Sequence, residues 1–296
     1  MNSGHTMPGQ SASRLRGSNW FLRLLFGVLL AVMVLAAVGL GPDYFAMVLV
    51  LASMLAAREW HRLVRTAAPE ALPFHKNPFH LQTLMTTVAV ALGVVALLAH
   101  VPALAGAFLV LGTVAGFVLA RLRGDNAPWQ ALGVLYIGIP ALSLIGLHVY
   151  PLDHAPHPLL VAGFFIIIWA TDTGALIFGK LVGGKKLAPA ISPGKTWAGT
   201  IGGSLCAAFC YMGYVLLIGG TALGSFLFAL AFSVVAHGGD LFESFVKRRF
   251  GRKDSGSIIP GHGGILDRVD STFAAAPVLA LLVLGLGFNP LMVEHL

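Results

Sequence analysis

Residues 244–270 have the sequence SFVKRRFGRKDSGSIIPGHGGILDRVD, and this charged segment stands between two apolar runs, 221–239 and 272–290. Apolar runs of about 20 residues can cross the roughly 30 Å hydrocarbon core of a bilayer as helices. A segment rich in lysine, arginine and aspartate cannot enter that core without a large cost in free energy. The stretch therefore predicts a membrane protein that holds a charged segment at the surface between two spans.

The segment and the helix expected before it carry two pairs of carboxylates. If residues 221–248 form one helix, the side chains that share one face, at offsets of three, four and seven, are Asp240, Glu243, Ser244 and Lys247. Asp267 and Asp270, three positions apart, share a face of the next helix. Carboxylates suit Mg²⁺, and basic side chains beside them suit phosphate. We therefore expect a site that binds Mg²⁺ and phosphate.

The same segment resembles the signature of the CDP-diacylglycerol synthases, also called phosphatidate cytidylyltransferases. Every fixed position of that signature is filled at the family spacing, by Ser244, Lys247, Arg248, Lys253, Asp254, Gly256, Ile259, Pro260, His262, Gly263, Gly264, Asp267, Arg268, Val269 and Asp270. The resemblance implies that CTP and phosphatidate are converted to CDP-diacylglycerol and pyrophosphate, with Mg²⁺ as the cofactor. It also implies a role in phospholipid biosynthesis.

The composition excludes most soluble classes. Hydrophobic residues make up 57% of the chain and charged residues only 10%, whereas a soluble domain carries about a quarter charged residues. The net charge of +7 does not indicate nucleic acid, because the bases lie beside apolar runs, where they orient spans and contact anionic lipid. Cys206 and Cys210, four apart in one apolar run, cannot form an extracellular disulfide framework.

The hydrophobic pattern predicts an all-α, polytopic helical bundle with about nine transmembrane helices. A barrel aside, only helices satisfy their backbone polar groups inside a bilayer. Residues 1–20 are expected to form a mobile tail, and 21–296 a single transmembrane domain whose catalytic part is roughly 165–275. The expected spans are 21–40, 43–57, 81–100, 102–120, 129–148, 159–179, 198–219, 221–239 and 272–290.

The distribution of bases predicts the orientation. Every lysine and arginine outside the nine expected spans falls on one side, in 1–20, 58–80, 121–128, 180–197 and 240–271. Basic loops face the cytoplasm. The N-terminus is therefore expected inside, the C-terminus outside, and the active site on the cytoplasmic face of a bacterial inner membrane.

Asp172 lies within an apolar span, where an acid costs a few kcal/mol. It is therefore a candidate functional residue, with a structural partner for a buried base as the alternative. At about 1.5 Å per residue it lies about 12 Å from the Lys180 end of the span. That places it within reach of the Asp240 group if the helices pack together.

Residues 192–196, Ser-Pro-Gly-Lys-Thr, precede an apolar run. We expect Ser192 to cap a helix whose first residue is Pro193, so that free N–H groups and Lys195 bind a nucleotide or lipid phosphate. The family has a similar Ser-Pro-x-Lys-Thr element. The alternative is a capped helix start that binds nothing.

Two further elements are interpreted more simply. His262 is expected to contact phosphate, with proton donation or a turn as alternatives, and the glycines after it allow close approach of backbone to phosphate. Residues 58–62, which include Trp60, are expected to anchor the chain at the membrane interface, with contact to a lipid head group as the alternative.

Each candidate site residue has an expected role. Catalysis is assigned to Asp240, Asp267, Asp270, Lys247 and Arg268, and metal binding to Asp240, Asp267, Glu243 and Asp172. Substrate binding is assigned to Ser192, Lys195, Thr196, Ser244, Arg248, His262, Gly263 and Gly264. The expected partners are CTP, phosphatidate and membrane lipid, with no nucleic acid, and a homodimer is compatible with the sequence.

Two other functions use similar residues. A CTP-dependent lipid kinase would need comparable acids and bases but would transfer the γ-phosphoryl group. An ion-coupled transporter would use Asp172 and the inner acids, but the repeated halves expected of such a fold are absent from the sequence.

Overall fold

The computed structural model describes residues 27–65, 81–150, 157–256 and 264–292. Within those ranges the chain forms nine α-helices, and a π-helical turn, Leu281–Gly285, continues the last of them. The helices are α1 (Gly27–Leu40), α2 (Pro42–Leu63), α3 (Leu81–Leu98), α4 (Pro102–Leu122), α5 (Ala127–Val149), α6 (His157–Leu181), α7 (Trp197–Leu217), α8 (Ala222–Arg249) and α9 (Leu266–Ala280). The single helix expected over 221–248 is confirmed by α8.

Seven of these helices are long and apolar enough to cross a membrane, namely α3 to α8 and α9 with its π-helical turn. The predicted class, a helical polytopic membrane protein, is therefore confirmed. The described part of α1 is shorter, and α2 ends in the charged residues Arg58, Glu59 and Arg62. The expected tail, residues 1–20, lies outside the described residues.

A short β-hairpin lies between α6 and α7 in the otherwise helical fold, and the predicted all-α class holds. Strand β1 (Lys186–Ala188) pairs antiparallel with β2 (Ser192–Thr196). Gly183 and Gly184, with φ of 64° and 88°, turn the chain out of α6 in a conformation that glycine adopts most readily.

The helix expected to be capped by Ser192 and to begin at Pro193 begins instead at Trp197, so that prediction is wrong. Pro193 and Gly194 have the poorest helix propensities, and they lie in β2. Thr196 is the N-cap, because its Oγ1 accepts a hydrogen bond from the Gly199 N–H at 3.1 Å.

Buried apolar side chains form a hydrophobic cluster around Trp60. Its ring is fully buried and lies 4.7 Å, between centroids, from the ring of Tyr136. With Val246 and Leu266, the cluster joins the end of α2, the start of α5, the end of α8 and the start of α9. The anchor expected at residues 58–62 is therefore wrong for Trp60, which packs in the protein core and not at a lipid interface.

Two glycines let helices touch backbone to backbone. A Cβ atom at Gly203 would lie 2.6 Å from the carbonyl oxygen of Thr171, and one at Gly239 would lie 2.6 Å from that of Asp270. These contacts pack α7 on α6 and α8 on α9. The contact at Gly239 joins α8 beside Asp240 to α9 at Asp270. It therefore sets how closely the carboxylates of the two helices approach each other.

We expect Gly239→Ala to destabilise the protein by about 1–3 kcal/mol, because overpacking against a backbone carbonyl is not relieved by rotation of a side chain. Gly238→Ala is the matched control, since a Cβ atom there meets nothing within 4 Å. It should be neutral, or stabilise the helix by about 1 kcal/mol. The measurement is the midpoint of thermal unfolding in detergent, and equal midpoints for the two variants would contradict this packing.

Candidate active site

The acids and bases of the sequence meet at a large cavity of about 920 Å³. One part of its wall is apolar and comes from α1, α2, α5 and α6, with Val34, Phe45, Leu144, Phe165 and Trp169 among its residues. The polar part comes from α6, the β-hairpin, α7, α8 and α9, and includes Asp172, Ser192, Lys195, Thr196, His237, Asp240, Lys247, Asp267, Arg268 and Asp270. The cavity therefore offers both an apolar and a charged surface to one ligand or to two.

Asp240 on α8 is paired with Lys195 of the hairpin. The Lys195 Nζ lies 2.7 Å from Asp240 Oδ2 and donates a second, longer hydrogen bond of 3.3 Å to the backbone oxygen of His237. Ser244, one turn further along α8, donates to Asp240 Oδ1 at 3.4 Å. The Asp240 side chain is 35% exposed, so it remains accessible from the cavity.

Asp267 in the first turn of α9 is held more tightly. Its Oδ1 accepts a hydrogen bond of 2.6 Å from Lys247 Nζ. Its Oδ2 accepts from the Ser255 hydroxyl and the Gly264 N–H, both at 2.9 Å, and from the Ser255 N–H at 3.2 Å. Several donors thus converge on one carboxylate, which fixes its orientation at the helix start.

Asp172 lies close to the other acids, as its position within its span predicts. Its Oδ1 accepts a hydrogen bond of 3.2 Å from the hydroxyl of Ser271, the neighbour of Asp270 in α9. Asp270 is only 8% exposed, and its Oδ1 accepts the Ser271 N–H at 2.7 Å. The expectation that α6 brings an acid to the α8 and α9 carboxylates is therefore confirmed.

Some assigned residues lie away from the cavity wall. Glu243 is fully buried, with Oε1 at 3.4 Å from Lys247 Nζ. Arg248 is exposed, and its Nε donates to the Ile191 oxygen in the hairpin turn at 3.3 Å. Gly264 faces Asp267 through its N–H. His262 and Gly263 lie outside the described residues, so their predicted contacts stay predictions.

Ser255 and Glu59 belong to the site although sequence analysis did not assign them. Ser255 links Asp267 to Glu59, whose Oε2 lies 3.1 Å from the Ser255 hydroxyl. In the sequence, the only sign of a role for Glu59 is that it is an acid at the end of an apolar run. The only sign for Ser255 is that it lies between the signature residues Asp254 and Gly256.

The donor set fits a hard cation such as Mg²⁺. Among the described residues, no three His, Cys, Asp or Glu side chains form a closed metal site. Mg²⁺ is commonly bound by one or two carboxylates, with waters and substrate phosphates as the other ligands. Asp240 and Asp267 are two such carboxylates, both facing the cavity. A site of this kind is complete only when substrate is bound.

Comparisons with known proteins agree with this chemistry. Residues 21–285 match the model of a family described as the cytidylyltransferase family. A phosphatidate cytidylyltransferase of Pseudomonas aeruginosa is 36% identical over 268 residues, which cover 83% of this chain and 90% of that protein. One of Rickettsia felis is 33% identical over 234 residues, covering 73% and 97%. One of Brucella suis is 42% identical over 180 residues, covering 60% of this chain and 66% of that relative.

Proposed function

The chain belongs to the cytidylyltransferase family, and on that basis we propose that it is a phosphatidate cytidylyltransferase of phospholipid biosynthesis. It converts CTP and phosphatidate to CDP-diacylglycerol and pyrophosphate. The observation that carries the proposal is the single cavity with an apolar wall and a charged wall. Phosphatidate has acyl chains and a phosphate, and it needs both surfaces, whereas CTP needs only the charged one.

The charged wall supplies the phosphate contacts. Lys195, Lys247 and Arg268 line the cavity. Lys195 and Lys247 are now paired with aspartates, but their flexible four-carbon stems let the ammonium groups reach a phosphate without backbone movement. Ser192 and Thr196 line the same wall, so the hairpin, and not a helix start at Ser192, is the phosphate-binding element we propose.

The reaction needs positioning and neutralisation of charge more than proton transfer. An oxygen of the phosphatidate monoester attacks the α-phosphorus of CTP, the bond from that phosphorus to the β-phosphate oxygen breaks, and pyrophosphate leaves. The attacking oxygen is already anionic at neutral pH, so no general base is required. Lysine and arginine side chains aimed at the phosphates stabilise the charge of the transition state.

Mg²⁺ is the cofactor we propose. Asp240 and Asp267 would hold it, with Asp172, Asp270 and Glu243 behind them, and when bound it neutralises phosphate charge. The chain's own part is to orient the Asp240 and Asp267 carboxylates, which the paired lysines and the Ser255 and Gly264 donors do.

We also propose the full predicted topology, nine spans with the N-terminus and the site on the cytoplasmic side of the membrane. The cluster around Trp60 supports it, because alternating spans bring the end of α2, the start of α5, the end of α8 and the start of α9 to one side. The bases of the hairpin and of residues 247–268 lie at that side too.

Two single cysteines test this topology in a background without Cys206 and Cys210. Lys185→Cys, before the hairpin, should react with a membrane-impermeant maleimide only from the cytoplasmic side. Ala222→Cys, at the start of α8, should react only from the other side. Both positions are exposed. Labelling of both from one side of sealed vesicles would overturn the alternating arrangement.

The reaction is tested by the fate of label from CTP. Purified protein in phosphatidate-containing micelles with Mg²⁺ should transfer ³²P from α-labelled CTP into chloroform-soluble lipid, because the cytidylyl group carries the α-phosphorus. Label from γ-³²P-CTP should remain in the aqueous pyrophosphate. Transfer of the γ label into lipid would instead identify a CTP-dependent lipid kinase.

We expect Asp267→Asn to lower kcat by about a hundredfold or more, the scale seen when one charge-stabilising group is removed from an active site. The amide removes a negative charge and presents an NH₂ group either to Lys247 or to the Ser255 and Gly264 donors. Asp240→Asn should behave alike, and the double variant should be little worse than either single one, because the two acids act as a unit.

The measurement is turnover as a function of Mg²⁺ concentration, with a size-exclusion profile as the test of folding. The matched control is Asp43→Asn, which replaces an exposed acid in the first turn of α2, away from the cavity. A folded Asp267→Asn protein with the turnover of this control would remove Asp267 from the mechanism.

A further inference from the structure

We propose that Glu59, at the end of α2, is a positioning residue that holds Ser255, Gly256, Gly264 and Leu266 in the geometry that presents Asp267. This inference rests on the proposed function for its kinetic consequences. Glu59 does not line the cavity, so it acts through its neighbours and not on substrate.

Glu59 caps α9 from another helix. Its Oε2 accepts the backbone N–H of Leu266, the first residue of α9, at 2.8 Å across 207 positions of sequence. The residue in the N-cap position, Ile265, supplies no side-chain hydrogen bond. The first N–H groups of a helix need acceptors, so Glu59 does what a capping serine or aspartate does in other helices. It thereby fixes the start of α9, where Asp267 stands in the first turn.

Ser255 extends this contact to Asp267. The Ser255 hydroxyl lies 3.1 Å from Glu59 Oε2 and 2.9 Å from Asp267 Oδ2. The hydroxyl is thus within hydrogen-bond distance of both carboxyl groups, and the Ser255 N–H also donates to Asp267. Glu59, Ser255 and Asp267 are therefore one connected group, and a change at Glu59 is transmitted to the carboxylate at the cavity.

The backbone at Gly256 and at Gly264 is packed directly on Glu59. A Cβ atom at Gly256 would lie 2.8 Å from Glu59 Cδ, and one at Gly264 would lie 2.7 Å from the same atom. Both distances are too short for a side chain. The two signature glycines thus face the carboxylate of α2, which gives them a packing role in addition to any contact with phosphate.

Stability alone does not account for an acid at this position. Glu59 is 2% exposed among Ala56, Trp60 and Leu63, and its Oε1 has no hydrogen-bond partner among the described residues. Burying a carboxylate with an unsatisfied oxygen costs free energy, whereas burying an apolar residue would not. What Glu59 provides in return is its hydrogen bonds with Leu266 and Ser255, and through Ser255 a link to Asp267 at the proposed site.

The test compares Glu59→Ala, Glu59→Gln and Glu59→Met with Leu63→Ala, a control that opens a cavity in the same helix and cluster but removes no hydrogen-bond acceptor. Glu59→Ala should lower kcat about ten- to a hundredfold with KM for CTP and phosphatidate unchanged. Glu59→Gln keeps an acceptor oxygen and should lose about fivefold or less. Leu63→Ala should lower the thermal midpoint but leave kcat and KM unchanged.

Hydrogen–deuterium exchange supplies a readout that does not need activity. Peptides containing the amides of Ser255, Gly264 and Leu266 should exchange at least about tenfold faster in Glu59→Ala than in wild type, because local opening becomes easier. In Leu63→Ala they should exchange as in wild type. An inactive wild-type protein would remove the proposed function and leave this exchange test standing.

Three results would overturn the inference. The first is wild-type exchange of these amides in Glu59→Ala, and the second is a kcat of Glu59→Ala equal to that of Leu63→Ala. The third is a Glu59→Gln protein as impaired as Glu59→Ala, because loss of the acceptor oxygen would then not explain the lower kcat. If Glu59→Ala does not fold, Glu59→Met decides by the same exchange and kcat measurements, because it fills the buried position and still removes the acceptor oxygens.

Discussion

The pairing of Asp240 and of Asp267 with a lysine from another element is the constraint on which the site depends. An ionised aspartate in an apolar bundle costs several kcal/mol unless a positive charge and hydrogen bonds compensate. Lys195 compensates Asp240 and so draws the β-hairpin onto α8, and Lys247 compensates Asp267 and so joins α8 to α9. Without these pairs, α6, α8 and α9 would bring like charges together with no lysine to compensate them.

The same pairs suit the proposed reaction. Lysines that neutralise acids before substrate binds are already beside the place where phosphate and cation must meet, so little reorganisation is needed. The apolar wall from α1, α2, α5 and α6 continues directly from this charged region. A lipid phosphate and a nucleotide triphosphate can therefore meet at the boundary between two environments within one cavity.

The backbone explains how the charges come so close. Gly239 lets α8 touch α9 beside Asp240 and Asp270, and Gly203 lets α7 touch α6 near Thr171. At the N-terminus of α9, Glu59 reaches across from α2 to the N–H of Leu266. An acceptor at Leu266 and close backbone contact at Asp270 thus fix the turn of α9 that carries both aspartates.

The sequence by itself determined the apolar helices and the chemistry of residues 240–270, because span length, charge and the spacing of Asp240, Glu243 and Lys247 on one helix are local properties. It also identified Asp172, since an acid within a span is costly wherever the span lies. Only the tertiary structure decided which helices are neighbours. The packing of the helices pairs Lys195 with Asp240 and brings Asp172 to Ser271. It also buries Trp60 in the core and brings Glu59 to Leu266. The β-hairpin was missed for a related reason. Residues 192–196 allow a capped helix start locally, and pairing with Lys186–Ala188 and docking on α8 made them a strand.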